Sequence, residues 1–581
     1  YVQIRTVDAQ KRHLMSSWSA SSQSWTTTDK CSDSEYLATA GTGLDPQQWK
    51  CASCPKGSSC RGPVTWEKVG PLFGYWKIPA DQRSLPQDEA LDEALDEALD
   101  EAEIFVLCKY PPACPGMPNL FMEGQFYAPD DVDASNDLAK IVTTFDPEVG
   151  ENNATCAFAL GHRNGSRLCH ACLPKYKSEG DGRCSLCLNA SANYTLLVFG
   201  VIALILILVA IISLQISSAG AQTRSASIRK ILFNHLQVAS LLIVFPLEWP
   251  PAFIGLFDFQ ASISTVGSQL INPDCVVDGS TSTAMLVYTK QISLLSIGFL
   301  FVCAANIYFH GHSYRKTGRC SFMKRENRDD TTSKDMFVVT ITVVMYLIFP
   351  SLCIQTFRLF DCKKIGRFEY LQQDFDEQCW TGRHLFVVLT LGISQLLLFV
   401  VATPLVGLFF LYRNRDRLTQ HSVLIRYGMF FGSFKDNVYY WEVVIALRKV
   451  CVCALGVFGK NMGAERQAQL MLILLSLSMY LEVQFRPYTE RTEKDKVVQR
   501  AEISSVIVQM ITMWSGLMMF SSINTPSRGT ITVFLSFVAV GMNVVIVIWI
   551  VYHLLVAVNE ENSDTSSAIW SQIKAVSRKS I

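Results

Sequence analysis

Charged side chains inside an apolar stretch are the feature of this sequence that could do chemistry. The stretch YYWEVVIALRKVCVCAL holds Glu442, Arg448 and Lys449 in an otherwise hydrophobic run. On a helix, Glu442 and Lys449 share a face because they are seven residues apart, and Arg448 lies about 100° from Lys449. Charges are costly in lipid, so each is a candidate functional residue.

Other ionisable residues are predicted at a comparable depth, namely Glu482, Arg486 and Glu502. The whole group could line a gate or an ion path. It could also be an interhelical clamp in which each charge is neutralised by a neighbour, and we favour the clamp because structural networks also collect charges. Glu248 in FPLEWPP is a second candidate, since proline-freed carbonyls beside a carboxylate could coordinate a cation. A hydrated Glu248 near the outer surface is the simpler interpretation.

The cysteines and the glycosylation motifs occur together. Eleven of the 19 cysteines precede Asn193, in spacings such as CASCPKGSSC and CHACLPKYKSEGDGRCSLC. The repeated Cys-x2-Cys pattern could be a zinc ribbon. Acceptor sequons are interleaved with it, and they indicate an oxidising lumenal or extracellular compartment, which favours disulfides over metal. The predicted glycosylation sites are Asn153, Asn164, Asn189 and Asn193.

The number of cysteines predicts the disulfide pairing of those that follow the front domain. Cys362 and Cys379 share one short loop and are predicted to pair, and Cys275 is predicted to bond an odd cysteine of the front domain. The predicted disulfide cysteines are Cys31, Cys51, Cys54, Cys60, Cys108, Cys114, Cys156, Cys169, Cys172, Cys184, Cys187, Cys275, Cys362 and Cys379. No metal ligands are assigned.

Nine apolar stretches long enough to cross a bilayer would position these residues. They are 194–214, 231–257, 286–309, 336–357, 385–412, 441–458, 468–483, 501–520 and 531–555. The fold class is therefore an all-α polytopic membrane protein with a small disulfide-rich, irregular or β domain in front. The predicted domains are 1–193, 194–556 and a cytoplasmic tail, 557–581, with an amphipathic helix.

Charge sets the predicted orientation. Residues 1–193 hold 26 acidic and 17 basic residues although the whole chain is neutral. The four loops after the first, third, fifth and seventh stretches hold 20 Lys and Arg residues. By the positive-inside rule, the amino-terminal domain lies outside or in a lumen and the carboxyl terminus lies in the cytoplasm. A removed signal peptide is expected ahead of such a domain. The expected location is the plasma membrane or a ciliary membrane or endomembrane.

Several motifs resemble known families. CASCPKGSSCRG resembles the modules of ephrin-receptor-like cysteine-rich ectodomains. FNHLQVASLL, EWPP, YLIFPSLCIQTFRLFDC, RYGMFFGSFKDNVYYWEVVIALRK and VQFRPY resemble the TRP-like, polycystin-related membrane proteins of algae and protists. The chain is similar, more distantly, to fungal TRP-like proteins that include flavin carriers. The resemblance covers about residues 194–556.

This resemblance implies a TRP-like cation channel that is gated by ligand, lipid or mechanical force. One departure matters: SSINTPSRGT, between the last two stretches, is too short for a pore helix and filter. The alternatives are a transporter of a lipid or small cofactor, and a non-conducting receptor or adhesion anchor whose ectodomain binds an extracellular partner. The sequence has no phosphate loop, no helical His pair and no G-x-S-x-G, so we predict that it is not an enzyme.

The acidic run DEALDEALDEALDEA within residues 88–103 completes the set of candidates. It has eight carboxylates and no basic residue. It could concentrate calcium weakly on the outer side, but it lacks the geometry of a dedicated calcium loop, so a solvated insertion is the favoured interpretation. No cofactor is assigned with certainty. The expected partners are membrane lipids or sterols, further copies of the chain, and an extracellular protein or glycan, but no nucleic acid.

Overall fold

The structure is a computed structural model of the 581-residue chain. It describes residues 31–32, 34–38, 50–60, 69–79, 82, 104–119, 122, 156–178, 182–187, 195, 198–200, 202, 206, 223–247, 249–264, 283–317, 333–418, 420–489, 495–522 and 528–579. Several predicted features lie outside these residues, namely Glu248, Cys275, Asn153, Asn189, Asn193, the acidic run and most of the first apolar stretch. The chain divides into two compact units.

The first unit, here called the disulfide-rich unit, contains Tyr1–Ala190, Asp274–Leu286 and Cys362–His384. Its described strands are short and antiparallel. They pair as β1 (Glu35–Ala38) with β2 (Lys50–Ser53), β3 (Ser58–Ser59) with β4 (Gly70–Pro71), β5 (Tyr75–Lys77) with β6 (Phe105–Leu107), and β7 (Tyr176–Ser178) with β8 (Cys184–Leu186). Sheets this small bury little apolar surface, so covalent links must supply much of the stability.

The disulfides supply those links. The described residues contain the pairs Cys31–Cys51, Cys54–Cys60, Cys108–Cys114, Cys156–Cys169, Cys172–Cys184 and Cys362–Cys379. The pairing of Cys362 with Cys379 agrees with the sequence prediction. Cys187 is also disulfide-bonded. Cys275, which was predicted to bond an odd cysteine of the front domain, lies outside the described residues. A zinc ribbon is excluded for Cys169 and Cys172, because each bonds a different cysteine.

A three-stranded hairpin from late in the chain belongs to the same unit. It consists of β9 (Cys362–Ile365), β10 (Phe368–Leu371) and β11 (Asp374–Gln378), and we call residues 362–378 the loop hairpin. Ile365, Tyr370 and Phe375 are buried with Trp76 and Leu168 in one hydrophobic cluster. The hairpin is therefore part of the core of the disulfide-rich unit.

The second unit, here called the helical unit, is built from helices. These are α1 (Arg224–Leu241), α2 (Pro251–Ser264), α3 (Thr283–Thr317), α4 (Ser333–Arg358), α5 (Gly382–Arg413), α6 (His421–Phe431), α7 (Trp441–Phe458), α8 (Ala464–Phe485), α9 (Lys496–Ser521) and α10 (Arg528–Lys579). The beginnings of α3 and α5 lie in the disulfide-rich unit. In α5, two π-helical stretches, Val388–Gly392 and Leu396–Val401, flank Gln395. This side chain accepts hydrogen bonds from Gln291 of α3 and Thr356 of α4.

Six described helices are long and apolar enough to cross a membrane. They are Val287–Ala304, Phe337–Arg358, Gly382–Arg413, Ala464–Phe485, Lys496–Ser521 and Gly529–Glu561. α7 has the predicted bounds, but its three charges leave it outside this apolar set. The chain thus has the helices of a membrane protein, and the count of nine spans is not confirmed.

The second predicted span differs from the structure. It was expected as one helix over 231–257, but α1 ends at Leu241 and α2 begins at Pro251. Pro246 and Pro250 lie in the interruption, where a proline can neither donate its backbone hydrogen bond nor fit against the preceding turn. A 3-10 turn at Leu242–Val244 and irregular backbone fill the gap.

Aromatic side chains of this interruption pack into the helical core. Trp249 lies with its ring centroid 5.1 Å from Phe253 and 5.2 Å from Phe257. Its indole nitrogen donates to the Phe245 carbonyl at 3.0 Å. The ring covers Gly516 of α9, where an added methyl group would overlap it.

We expect Gly516→Ala to destabilise the helical unit by about 1–3 kcal/mol, because the Trp249 ring has to move out of a packed core. The matched control is Gly541→Ala on α10, where a methyl group meets no atom within 4 Å. That change should be neutral or stabilise by up to about 1 kcal/mol. Thermal unfolding of both variants in lipid nanodiscs measures the difference. Equal unfolding temperatures would show that the Trp249 packing is wrong.

Candidate functional site

The charged residues of α7 are all buried. Glu442, Arg448 and Lys449 are 6%, 7% and 2% exposed. Because the three side chains leave the helix in two directions, they reach different neighbouring helices. Their contacts define the charge cluster, by which we mean Lys230, Glu442, Arg448, Lys449, Glu482 and Glu502.

Glu442 pairs with Lys230 of α1. The Lys230 ammonium group also donates to the Met429 carbonyl at 2.7 Å and lies 4.6 Å from the centroid of the Phe434 ring. A buried ion pair holds only when its remaining donors and acceptors find partners. These contacts meet part of that requirement and tie α7 to α1.

Arg448 pairs with Glu502 of α9. One guanidinium nitrogen lies 2.9 Å from Glu502 Oε1. The Tyr488 hydroxyl donates to the other carboxylate oxygen at 3.3 Å. Both partners are almost fully buried, with 6% and 1% of their side chains exposed. This pair ties α7 to α9.

Lys449 has a neutral partner. Its ammonium group donates to Gln237 Oε1 at 2.7 Å and lies 4.6 Å from the centroid of the Tyr346 ring. Gln237 in turn donates to the Ser264 carbonyl at 2.9 Å, and the Tyr346 hydroxyl donates to Asn234 Oδ1 at 2.6 Å. Lys449 therefore joins α7 to α1 and α4, and it does not form an ion pair with Glu442.

Glu482 lies near the end of α8. Its Oε1 accepts from the Trp441 indole at 2.9 Å, and Gln499 donates to its backbone carbonyl at 3.2 Å. Among the described residues, Glu482 Oε2 has no hydrogen-bond partner. Arg486 follows the end of α8 in the left-handed conformation, with φ 41°, and is exposed. The structure therefore does not bring Arg486 into the charge cluster.

The contacts of the charge cluster join different helices, as an interhelical clamp requires. Ion conduction through the charge cluster stays a prediction. Sequence reasoning missed Lys230, Gln237 and Tyr346. The motif FNHLQ did contain a signal, because Asn234, His235 and Gln237 are polar residues in a stretch that was interpreted as a span.

A second candidate site joins the loop hairpin to the rest of the disulfide-rich unit. Arg163 pairs with Asp376 at 3.0 Å, and the Arg167 backbone N–H donates to the same carboxylate at 3.2 Å. The Arg167 guanidinium donates to the Phe375 carbonyl, and His170 Nε2 donates to the Gln373 carbonyl, both at 2.5 Å. We call these four bonds the hairpin latch.

Backbone strain coincides with the hairpin latch. Leu168 and Cys169, between Arg167 and His170, have φ values of 52° and 50°. Such values cost non-glycine residues of order 1–3 kcal/mol each and persist only where the surroundings impose them. Here the disulfide of Cys169 and the buried side chain of Leu168 hold the segment against the hairpin.

Burial also shifts the pKa values of two side chains at the hairpin latch, His170 and Asp374. It lowers the pKa of His170 to about 4, helped by the charge of Lys109. It raises the pKa of Asp374 to about 6, and the carboxylates of Asp376 and Glu377 add to this effect. Cys362, Cys379 and His384 lie close enough together for a metal site, but the two sulfurs are joined in a disulfide, so they cannot act as thiolate ligands.

The described sequon asparagine lies in a turn on the surface. Asn164 is exposed, and its Oδ1 accepts from the Cys156 backbone N–H at 2.9 Å. The amide nitrogen that would carry a glycan is the other atom of the group. Glycosylation itself stays a prediction.

Comparison with known proteins gives limited similarity. No protein-family model matches the chain, and no solved structure matches it. Over 201 residues the chain is 23% identical to the cysteine repeat modular protein A of Toxoplasma gondii. The match covers 32% of this chain and 6% of that protein. The cysteine-rich, disulfide-bonded unit fits this similarity, whereas the TRP-like resemblance receives no support from it.

We expect Lys230→Met to destabilise the helical unit by about 3–5 kcal/mol, because it leaves Glu442 buried without a counter-charge. The double variant Lys230→Met/Glu442→Leu should recover most of that loss. Arg486→Met, at an exposed position, is the control and should change stability by no more than about 0.5 kcal/mol. Denaturant unfolding in nanodiscs measures all three. A double variant as unstable as the single one would contradict the pairing.

We expect Asp374→Asn to stabilise the loop hairpin at neutral pH by up to about 3 kcal/mol, the equivalent of a two-unit pKa difference. The raised pKa means that the folded state binds the proton more tightly, so ionised Asp374 costs stability above pH 6. The gain should shrink as the pH falls through about 6 and vanish below about 4. Hydrogen exchange of residues 368–378, corrected for the intrinsic pH effect, measures it. A pH-independent gain would contradict this account.

Proposed function

We propose that this chain is a membrane receptor. Its disulfide-rich unit binds an extracellular protein or glycan, and this binding changes the packing of helices in its helical unit. One observation supports this proposal above the others: the loop hairpin, which connects α4 to α5 along the chain, is part of the core of the disulfide-rich unit. A force or rearrangement in that unit is therefore applied to two membrane helices through the covalent chain.

The route from the hairpin leads to the charge cluster. Arg358 ends α4 four residues before the hairpin begins at Cys362, and Tyr346 lies on the same helix. Tyr346 bonds Asn234 and stacks under Lys449. Pro350 lies between Arg358 and Tyr346 in α4, so a displacement at Arg358 passes a turn that lacks one backbone hydrogen bond before it reaches Tyr346 and the contact between α4 and α7.

The proposed orientation places the disulfide-rich unit on the outer or lumenal side and the carboxyl terminus in the cytoplasm. The disulfides and the sequons support it, as do the 20 Lys and Arg residues that lie between the predicted spans on the proposed cytoplasmic side, although Lys230 of this set is buried in α1. An odd number of crossings, nine as the sequence predicts, goes with this arrangement. A plasma, ciliary or endomembrane location, weak calcium binding by the acidic run, bound lipids or sterols, and self-association belong to the same proposal.

A cation channel of TRP-like kind is the second candidate. It is favoured by the buried carboxylate of Glu482, which keeps one oxygen without a described partner. Buried ionisable groups of membrane helices often mark ion pathways. In this version, engagement of the disulfide-rich unit opens a cation path.

Arg167→Ala tests the receptor proposal, because it removes the guanidinium bond of the hairpin latch without touching the helical unit. The matched control is Arg183→Ala, an exposed arginine of the same unit. We expect Arg167→Ala to raise hydrogen exchange in the last two turns of α4 about tenfold, or about 1.4 kcal/mol, and Arg183→Ala to leave it unchanged. An increase confined to residues 362–378 would contradict the proposed transmission.

Cation flux into liposomes separates the two candidates. Flux in the native protein that changes with Arg167→Ala would favour the channel. Transmission to α4 without flux would favour the non-conducting receptor.

A further inference from the structure

Two buried side-chain oxygens near the end of α8 accept no hydrogen bond from the described residues. Glu482 is 2% exposed and Gln499 is 7% exposed. Gln499 Nε2 donates to the Glu482 backbone carbonyl at 3.2 Å, and the Gln499 side chain also lies near the Glu482 carboxylate. Glu482 Oε2 and Gln499 Oε1 both lack a hydrogen-bond partner in the part of the chain that the structure describes. Buried acceptors normally have a donor, and leaving one without a donor costs about 1–3 kcal/mol.

The described cations near Glu482 either bond other groups or lie at exposed or half-buried positions, and Arg448 Nε is a buried donor without a described partner. α8 packs against α7 and α9. On α7, Arg448 bonds Glu502, while Lys449 bonds Gln237 and Glu442 is paired with Lys230. On α9, Arg500 is exposed and Lys496 is half-buried. Lys460, which precedes α8, pairs with Asp361, and Arg486 is exposed.

The charge balance disfavours an ionised Glu482. Glu482 and Glu502 both lie within the electrostatic reach of the one guanidinium of Arg448, which bonds Glu502 directly. The donor that Glu482 does have is the neutral indole of Trp441. A second negative charge there would face the Glu502 carboxylate in a region of low dielectric, where like charges repel strongly.

We propose that Glu482 is a proton-binding site, and that its protonated Oε2 donates to Gln499 Oε1. One proton then supplies both unpartnered oxygens and removes the excess negative charge. A metal cation fits less well, because hard cations take about six oxygen ligands, whereas the described side chains of Glu482 and Gln499 offer two unpartnered oxygens. This inference goes beyond the proposed receptor function and does not depend on it.

The site links proton binding to the packing of helices. When the proton is present, the Glu482 side chain joins Trp441 of α7 and Gln499 of α9 to the end of α8. When the proton leaves, the carboxylate loses the Gln499 bond and repels Glu502. Loss of the proton therefore loosens α8 from α9, and the helical unit responds to pH at this point.

Infrared difference spectroscopy tests the proposal on the full chain in nanodiscs. The C=O stretching band of a protonated carboxylic acid lies apart from the amide bands. We expect this band in the native protein at neutral pH and its loss, by the intensity of one carboxylic acid per chain, in Glu482→Gln. The amide introduced by this substitution could donate to Gln499 as the protonated acid does, so the variant should fold. Glu465→Gln, an exposed position on the same helix, is the matched control and should keep the band.

Two further measurements make the test decisive. Gln499→Leu should shift the frequency of the band, because it removes the acceptor of the proton. Titration with Na⁺ or K⁺ at constant pH should leave the band unchanged. The proposal is overturned if Glu482→Gln leaves the intensity of the band unchanged, if the band is missing from the native protein, or if alkali ions abolish it.

Discussion

Charges buried among apolar helices must be neutralised, and this constraint organises the helical unit. Three acidic and three basic side chains of the charge cluster are buried. α7 carries three of them, and each reaches a different side chain: Lys230, Glu502 or Gln237. α7 is thus fixed to α1 and α9 by pairs that cannot be separated without exposing a charge to an apolar surrounding. These pairs select the helices that α7 faces, while Val452, Cys453 and Val457 bury its apolar surface in the main hydrophobic cluster.

Covalent bonds play the corresponding part in the disulfide-rich unit. Its strands are two to five residues long, too short to hold a core by themselves. The disulfides fix the chain locally, and the loop hairpin adds Ile365, Tyr370 and Phe375 to the apolar cluster. Because that hairpin also connects α4 to α5, one segment serves the core of one unit and the connectivity of the other. This double role is the basis of the receptor proposal.

From the sequence, the kinds of element and the candidate residues could be predicted well, but the residues that each of them contacts could be predicted less well. Hydropathy placed α4, α5, α7, α8 and α9 well, and the disulfides were predictable from the sequons among the cysteines. The pair Cys362–Cys379 was predictable because both lie in one short loop. Helical spacing gives the face of a residue but not the helix opposite. It therefore places Glu442 and Lys449 on one face but does not indicate that Glu442 pairs with Lys230, more than 200 positions earlier. The prolines of FPLEWPP should have divided the second span. No local signal predicts that residues 362–378 pack against Trp76 and Leu168, since that contact is long-range.

The most direct measurement of the central claim, that buried charge pairs position α7, is a charge exchange between Arg448 and Glu502. Arg448→Glu and Glu502→Arg are each compared with the double exchange by thermal unfolding in nanodiscs. The account predicts that either single exchange, which places two like charges in contact, abolishes cooperative unfolding, and that the double exchange restores most of it. A double exchange that unfolds no better than the single ones would contradict the account.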